Sequence, residues 1–218
     1  MIRALVLLCL LALPVAAQDF RGLMPGMAAG ERGRLGEPLA IAPPDEAGLI
    51  RAVYPLPFDQ RLEVYHDTRR ILALGTWTLP FGAGFGGRPA TGGLRSFTAT
   101  IADVTRMAGS EGYIYQPRGQ YYHEGTDTLW WMVYPLADNP DVMLELRFFD
   151  SETPRTLPML NADTVALPGD VQMTRATLYH RDVIPAILGD MAATLIPRPG
   201  AAPFALPIAE AFPLTDLP

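Results

Sequence analysis

The sequence predicts an α+β fold: an antiparallel sheet built from hairpins, with short helices packed on it and degenerate tandem repeats along it. Three observations lead there. Several segments alternate apolar and polar side chains with the two-residue period of a strand, and turn residues separate them. Two short stretches with helical spacing, each closed by glycine, lie between the strands. All three histidines also share one pattern, Arg-x-x-x-Tyr-His. It occurs as Arg61 with Tyr65-His66, Arg118 with Tyr122-His123, and Arg175 with Tyr179-His180, at a constant interval of 57 residues. With 8 Tyr among 218 residues, chance would place Tyr before a given His roughly one time in 27. Three of three suggests related segments.

Taken in order, the chain opens on a secretory signal. Arg3 supplies the positive charge, residues 4–15 are apolar, and Val15-Ala16-Ala17 is a small-residue cleavage site. The apolar run falls short of the about 20 residues that span a bilayer. Cleavage after Ala17 would leave a periplasmic or secreted protein, with residues 18–200 as a single domain. Sub-repeats are read at 23–80 and 95–150, and residues 201–218 as an Ala/Pro-rich tail over the surface.

Residues 26–38 read as a short helix closed by Gly36, with Pro38 as a stop. Residues 61–66 alternate, with Arg61, Glu63 and Tyr65 on one face and Leu62, Val64 and His66 on the other. A turn follows, and residues 71–79 return as a strand. Residues 118–123, a turn at 124–126 and residues 127–134 repeat that plan. Residues 100–109 read as a helix ended by Gly109, and residues 142–149 as a strand with one wet face. Residues 171–179 form another strand. Residues 182–193 read as a helix capped by Asp182, with Pro185 in its first turn and Leu195 extending its apolar stripe.

Composition closes several chemistries. Cys9 lies inside the signal and lacks the flanking residues of a lipid-modified cysteine, so the exported chain has no thiol, disulfide or lipid anchor. All 17 basic residues are Arg. An arginine does not lose its proton to become an amine nucleophile, so Schiff-base and lysine-dyad chemistry are closed. Without Arg3, 16 Arg face 23 acids, a charge near −7 that disfavours nucleic acid. No further segment is long and apolar enough to be a transmembrane helix.

Gly26-Met27 opening a short helix, then Leu35-Gly36-Glu37-Pro38 and antiparallel strands, resembles a repeat of small exported bacterial proteins. That family comprises the outer-membrane assembly lipoproteins and the beta-lactamase-inhibitor-like proteins. The resemblance implies a role in binding another protein, and no catalytic residues.

Several residue groups are candidates for chemistry. His66, His123 and His180 could converge on zinc, as three-histidine sites do. Close-spaced ligand pairs are absent from the sequence, however, and each histidine has a local acid, Asp67, Glu124 or Asp182. No metal or other cofactor is therefore expected. Gly82-Ala-Gly84-Phe-Gly-Gly87 spells a dinucleotide fingerprint, but Pro89 stands where its helix should begin. Arg and Tyr on a strand face can grip a carboxylate or a sugar hydroxyl, which singles out Arg118 and Tyr122. Trp131 beside Arg147 offers an aromatic and a cation for binding. The reading is an exported non-enzymatic binding or scaffold protein contacting another protein. The alternatives are a metal- or glycan-binding module and a carboxylate-based hydrolase. N-terminal sequencing of the exported protein should start at Gln18, and recovery of only an intact Met1 form would overturn the export reading.

Overall fold

The structure, a computed structural model, describes residues 20–56, 61–77, 99–116, 121–124, 127–150, 166–188 and 194–211. The signal, Arg118, the 82–87 glycines and residues 189–193 of the expected helix lie outside these.

The described residues form one antiparallel sheet with few, short helices. Its strands are β1 (Ala40–Ile41), β2 (Ile50–Pro55), β3 (Arg61–His66), β4 (Ile71–Trp77), β5 (Tyr113–Gln116), β6 (Tyr121–Glu124), β7 (Asp127–Pro135), β8 (Val142–Asp150), β9 (Gln172–His180) and β10 (Thr194–Pro197). The order is β1-β2-β3-β4-β9-β8-β7-β5-β10, with β6 also on β7. β7 pairs with β8 along its length. On its other side β6 takes residues 127–130 and β5 meets Val133.

Side-chain alternation gives the sheet two faces. On the first, Leu62, Val64, Leu74, Trp130, Met132, Tyr134, Leu144, Leu146, Phe148, Ala176 and Leu178 form one buried cluster. Phe20 and Leu23 from the N-terminal segment join it. So do Ile101 and Val104 of α1 (Ile101–Ala108), and Ile208 and Ala211 of α3 (Ile208–Ala211). α1 starts where expected because Thr100 and Asp103 cap each other's backbone N–H groups. It stops at Gly109, whose φ of 69° is left-handed. Likewise Ala29–Leu35 is a 3-10 helix ended by Gly36 at φ 81°.

Two bulges adjust which side chains enter the core. Tyr65 pairs with Ala73 and His66 with Ile71, leaving Leu72 as the extra residue. Arg147 pairs with Arg175 and Phe148 with Met173, leaving Thr174 as the extra residue of the bulge. An unbulged strand would send Thr174 into the first-face cluster and Met173 out of it; the bulge buries Met173 completely.

Several expectations need correction. β8 has no wet face: Met143 and Glu145 are buried, since further groups pack over the second face. The expected 182–193 helix is a 3-10 turn, Arg181–Val183, followed by α2 (Ile184–Leu188), and Leu195 belongs to β10. His180, not Asp182, is the cap, because its ring accepts the Asp182 N–H. The stretch from 201 is no surface tail as far as Ala211: Phe204 and Ile208 are fully buried. Phe204 exchanges backbone bonds with Pro135 and Ala137, which draws it under the sheet. Its anchors are too sparse among Ala and Pro to show a period.

The β7–β8 register follows the alternation of the two segments. Trp130 faces Phe148, and Trp131 faces Arg147. Trp130 is fully buried and lies 4.9 Å from the Tyr121 ring, centroid to centroid. Trp130→Ala should therefore cost about 3–5 kcal/mol, the range for large core truncations. Urea melts check this, and a loss below about 1 kcal/mol would contradict the packing.

Candidate functional site

The second face of the sheet is polar at its centre. One row across it reads Val53, Glu63, Gly75, Thr177, Glu145 and Val133, on β2, β3, β4, β9, β8 and β7. Glu63 and Glu145 are both buried, at 5% and 0% exposure. Removing a carboxylate from water costs several kcal/mol unless donors replace the solvent, and here they do. One Glu63 oxygen accepts from the Tyr65 hydroxyl at 3.1 Å and from Arg175 at 3.0 Å. Its other oxygen faces Arg51 at 3.1 Å. Glu145 takes the Arg147 Nε at 2.6 Å.

The Arg175–Glu63 bond joins β9 to β3, with β4 between them. It forms because Gly75 occupies the intervening position. A Cβ there would stand 3.1 Å from the Thr177 hydroxyl and 3.2 Å from an Arg175 nitrogen, so a side chain would block the guanidinium. Arg175 also donates through Nε to Thr177 at 3.1 Å. Tyr179 lies close to Arg147 and Thr177 on the same face, and polar groups therefore continue across the sheet from Arg51 to Glu145.

Arg147 and Arg175 are direct cross-strand partners. Two like charges so placed repel, and each has its own carboxylate to offset this. Burial opposes the charge on Arg147, but Glu145 beside it prevails and raises its pKa. Burial, with Glu145 adding to it, pushes the Tyr179 phenol up to about 12. Burial, then Glu63, likewise raises Tyr65. These groups hold a fixed charge pattern across five strands.

The residues marked out by sequence fall as follows. Trp131 and Arg147 do stand side by side, but Trp131 is 3% exposed and is not a surface platform. Arg147 is part-buried and engaged with Glu145 and Tyr179. Tyr122 pairs with Leu129 in register, and its side chain lies outside the described residues, as does Arg118. The first and third Arg/Tyr faces meet in the network, which spacing along the chain could not reveal. Gly75 was the available signal, since a glycine inside a strand marks a close approach.

Two of the histidines, His66 and His180, bond locally, and the side chain of His123 lies outside the described residues. His66 is buried; its Nδ1 lies 2.7 Å from the Asp67 carbonyl, and its Nε2 accepts from Arg32 Nε at 3.2 Å. His180 lies 3.3 Å from the Asp182 carboxylate. Among the described residues no three His, Cys, Asp or Glu side chains group to hold a metal. Nor, among them, is any helix long and apolar enough to cross a membrane.

A shallow open recess of about 170 Å³ lies at one end of the sheet, lined by Leu49, Leu72 and Val183 with Asp67, Arg70 and Asp182 among its polar groups. Searches of protein-family models, curated proteins and solved structures find no match to this chain.

Arg175→Met should destabilise the fold by about 3–5 kcal/mol, because it strands the buried Glu63. The double variant with Glu63→Met should recover part of that loss. Urea denaturation of the cycle measures this, and additive single effects would show that the two groups do not interact.

Proposed function

We propose that this protein is an exported, non-enzymatic binding or scaffold protein that contacts another protein through the β1 edge of its sheet. The observation that carries this reading is the exposure of Leu39 and Ile41, at 60% and 58%. They are the large apolar side chains exposed among the described residues, Leu39 just before the edge strand and Ile41 at its end. Apolar groups flanking an open strand edge suit an extended segment of another chain, which would pair with the backbone while its side chains meet Leu39 and Ile41.

The backbone supports the same surface. Ala42 donates its N–H to the Arg51 carbonyl of β2, so alternation turns the N–H and C=O of Ile41 away from β2. Pro38 on one side and Pro43-Pro44 on the other keep this open edge short. The short edge limits self-association while leaving room for a two- or three-residue contact. The leader-like residues 1–17 support export, and the resemblance of residues 26–38 to exported binding proteins agrees with the role.

A photoreactive residue replacing Ile41, in the cells that make the protein, should give a discrete covalent adduct with another protein. The same residue at Thr68, an exposed turn position, should not. With the probe at position 39 instead, Ile41→Lys should cut the adduct yield about tenfold, as loss of an anchoring contact does. Equal labelling at 41 and 68 would sink the proposal.

A further inference from the structure

We propose that the Arg32–His66 hydrogen bond is an acid-sensitive latch that holds the β1 edge in place, a regulation that rests on the binding reading of that edge. The bonding of the imidazole fixes its protonation. A carbonyl can only accept, so the 2.7 Å contact with the Asp67 carbonyl puts the proton on His66 Nδ1. Nε2 then carries the lone pair, which is what the Arg32 Nε–H requires at 3.2 Å. The ring is neutral while this bond stands.

A second proton has one place to go, Nε2. It would set an N–H against the Arg32 N–H and a cation beside a guanidinium, in a site where His66 is 3% exposed. The other charged groups give the imidazolium no direct partner. The Asp67 carboxylate is turned to the backbone N–H groups of Arg69 and Arg70, at 2.6 and 2.7 Å. Those two residues add positive side chains to the same turn, and Arg70 is paired with Asp182. Glu31 of the 3-10 helix pairs with Arg34 instead of Arg32. The Tyr54 phenol of β2, near Arg32, is kept neutral by burial. Protonation therefore has to expel Arg32.

The consequence reaches β1 through the chain. Residues 26–29 are fixed by backbone bonds to Arg69 and Ile71, and β1 by its ladder with β2, flanked by the bonds of Leu39 to Val53 and Ala42 to Arg51. Between them, Arg32–His66 is the one side-chain hydrogen bond joining residues 30–38 to the sheet among the described residues. Leu35 adds partial packing on the core. With Arg32 released, the segment entering β1 loses its polar anchor, and the two backbone bonds that flank β1 open more often. Acid is what supplies that second ring proton, so acid is the trigger.

Amide hydrogen exchange, corrected for its intrinsic pH dependence, tests this directly. Protection at Leu39 and Ala42 should fall about tenfold between about pH 7.5 and about pH 5 in the unaltered protein. It should stay flat in His66→Gln, whose amide oxygen can accept from Arg32 and takes up no proton, and in Arg32→Gln. An equal pH dependence in all three proteins, or none in the unaltered one, overturns the latch. The Ile41 cross-link read at both pH values separates the two ideas. Exchange that responds to acid with no adduct at either pH refutes the binding surface and leaves the latch standing.

Discussion

The buried Glu63 carboxylate constrains everything around it. A charge at 5% exposure is tolerable only with donors on both oxygens, and those come from three strands: Arg51 on β2, Tyr65 on β3 and Arg175 on β9. The arrangement requires β4 to lie between β3 and β9 and to carry no side chain where the guanidinium passes, which Gly75 provides. A different placement of β9, or a one-residue slip of it, would take Arg175 away from the carboxylate. The pair thus disfavours alternatives to the native register, a job that apolar contacts perform less selectively.

Around that network the sheet divides its work. The first face is a continuous apolar cluster covered by the N-terminal segment, α1 and the stretch from Phe204 to Ala211. The second face combines the ion network with a smaller apolar cluster in which Tyr179 meets Val183 and Ile184. Arg198 ties the C-terminal stretch back to the start of β5 through Glu111 at 2.6 Å. The β1 edge is reached through the segment that carries the Arg32–His66 bond. The buried ion network lies in the middle strands, while Leu39 and Ile41 stand exposed at the short outer strand β1.

Much of the secondary structure was legible in the sequence. Local effects specify residues 61–66, 127–135 and 101–108: period-two alternation in the strands, a capping box and a left-handed glycine at the helix. The two bulges were not legible, because an extra residue is defined only against a partner strand. The buried Phe204 and Ile208 were hidden for a related reason, since an irregular segment has no period to read. The candidate site was half visible. Glu63, Tyr65, Arg175 and Tyr179 stood out as face residues, yet residues 142–149 were read as a strand with one wet face when Glu145 on that face is fully buried.

The sequence by itself determined the strands at 61–66, 71–77, 127–135, 142–150 and 172–180, which of their neighbouring side chains share a face, and how α1 begins and ends, because these depend on neighbours within four residues. It also determined that the basic groups are guanidiniums that keep their charge and reach far. Only the tertiary structure decided that β4 separates β3 from β9 and that Arg175 crosses Gly75 to Glu63. It alone also placed His66 against Arg32 and left Leu39 and Ile41 outside. Those outcomes join residues 34 to 112 positions apart, and they follow from which pairings bury charge with its partner, a property of the assembled sheet.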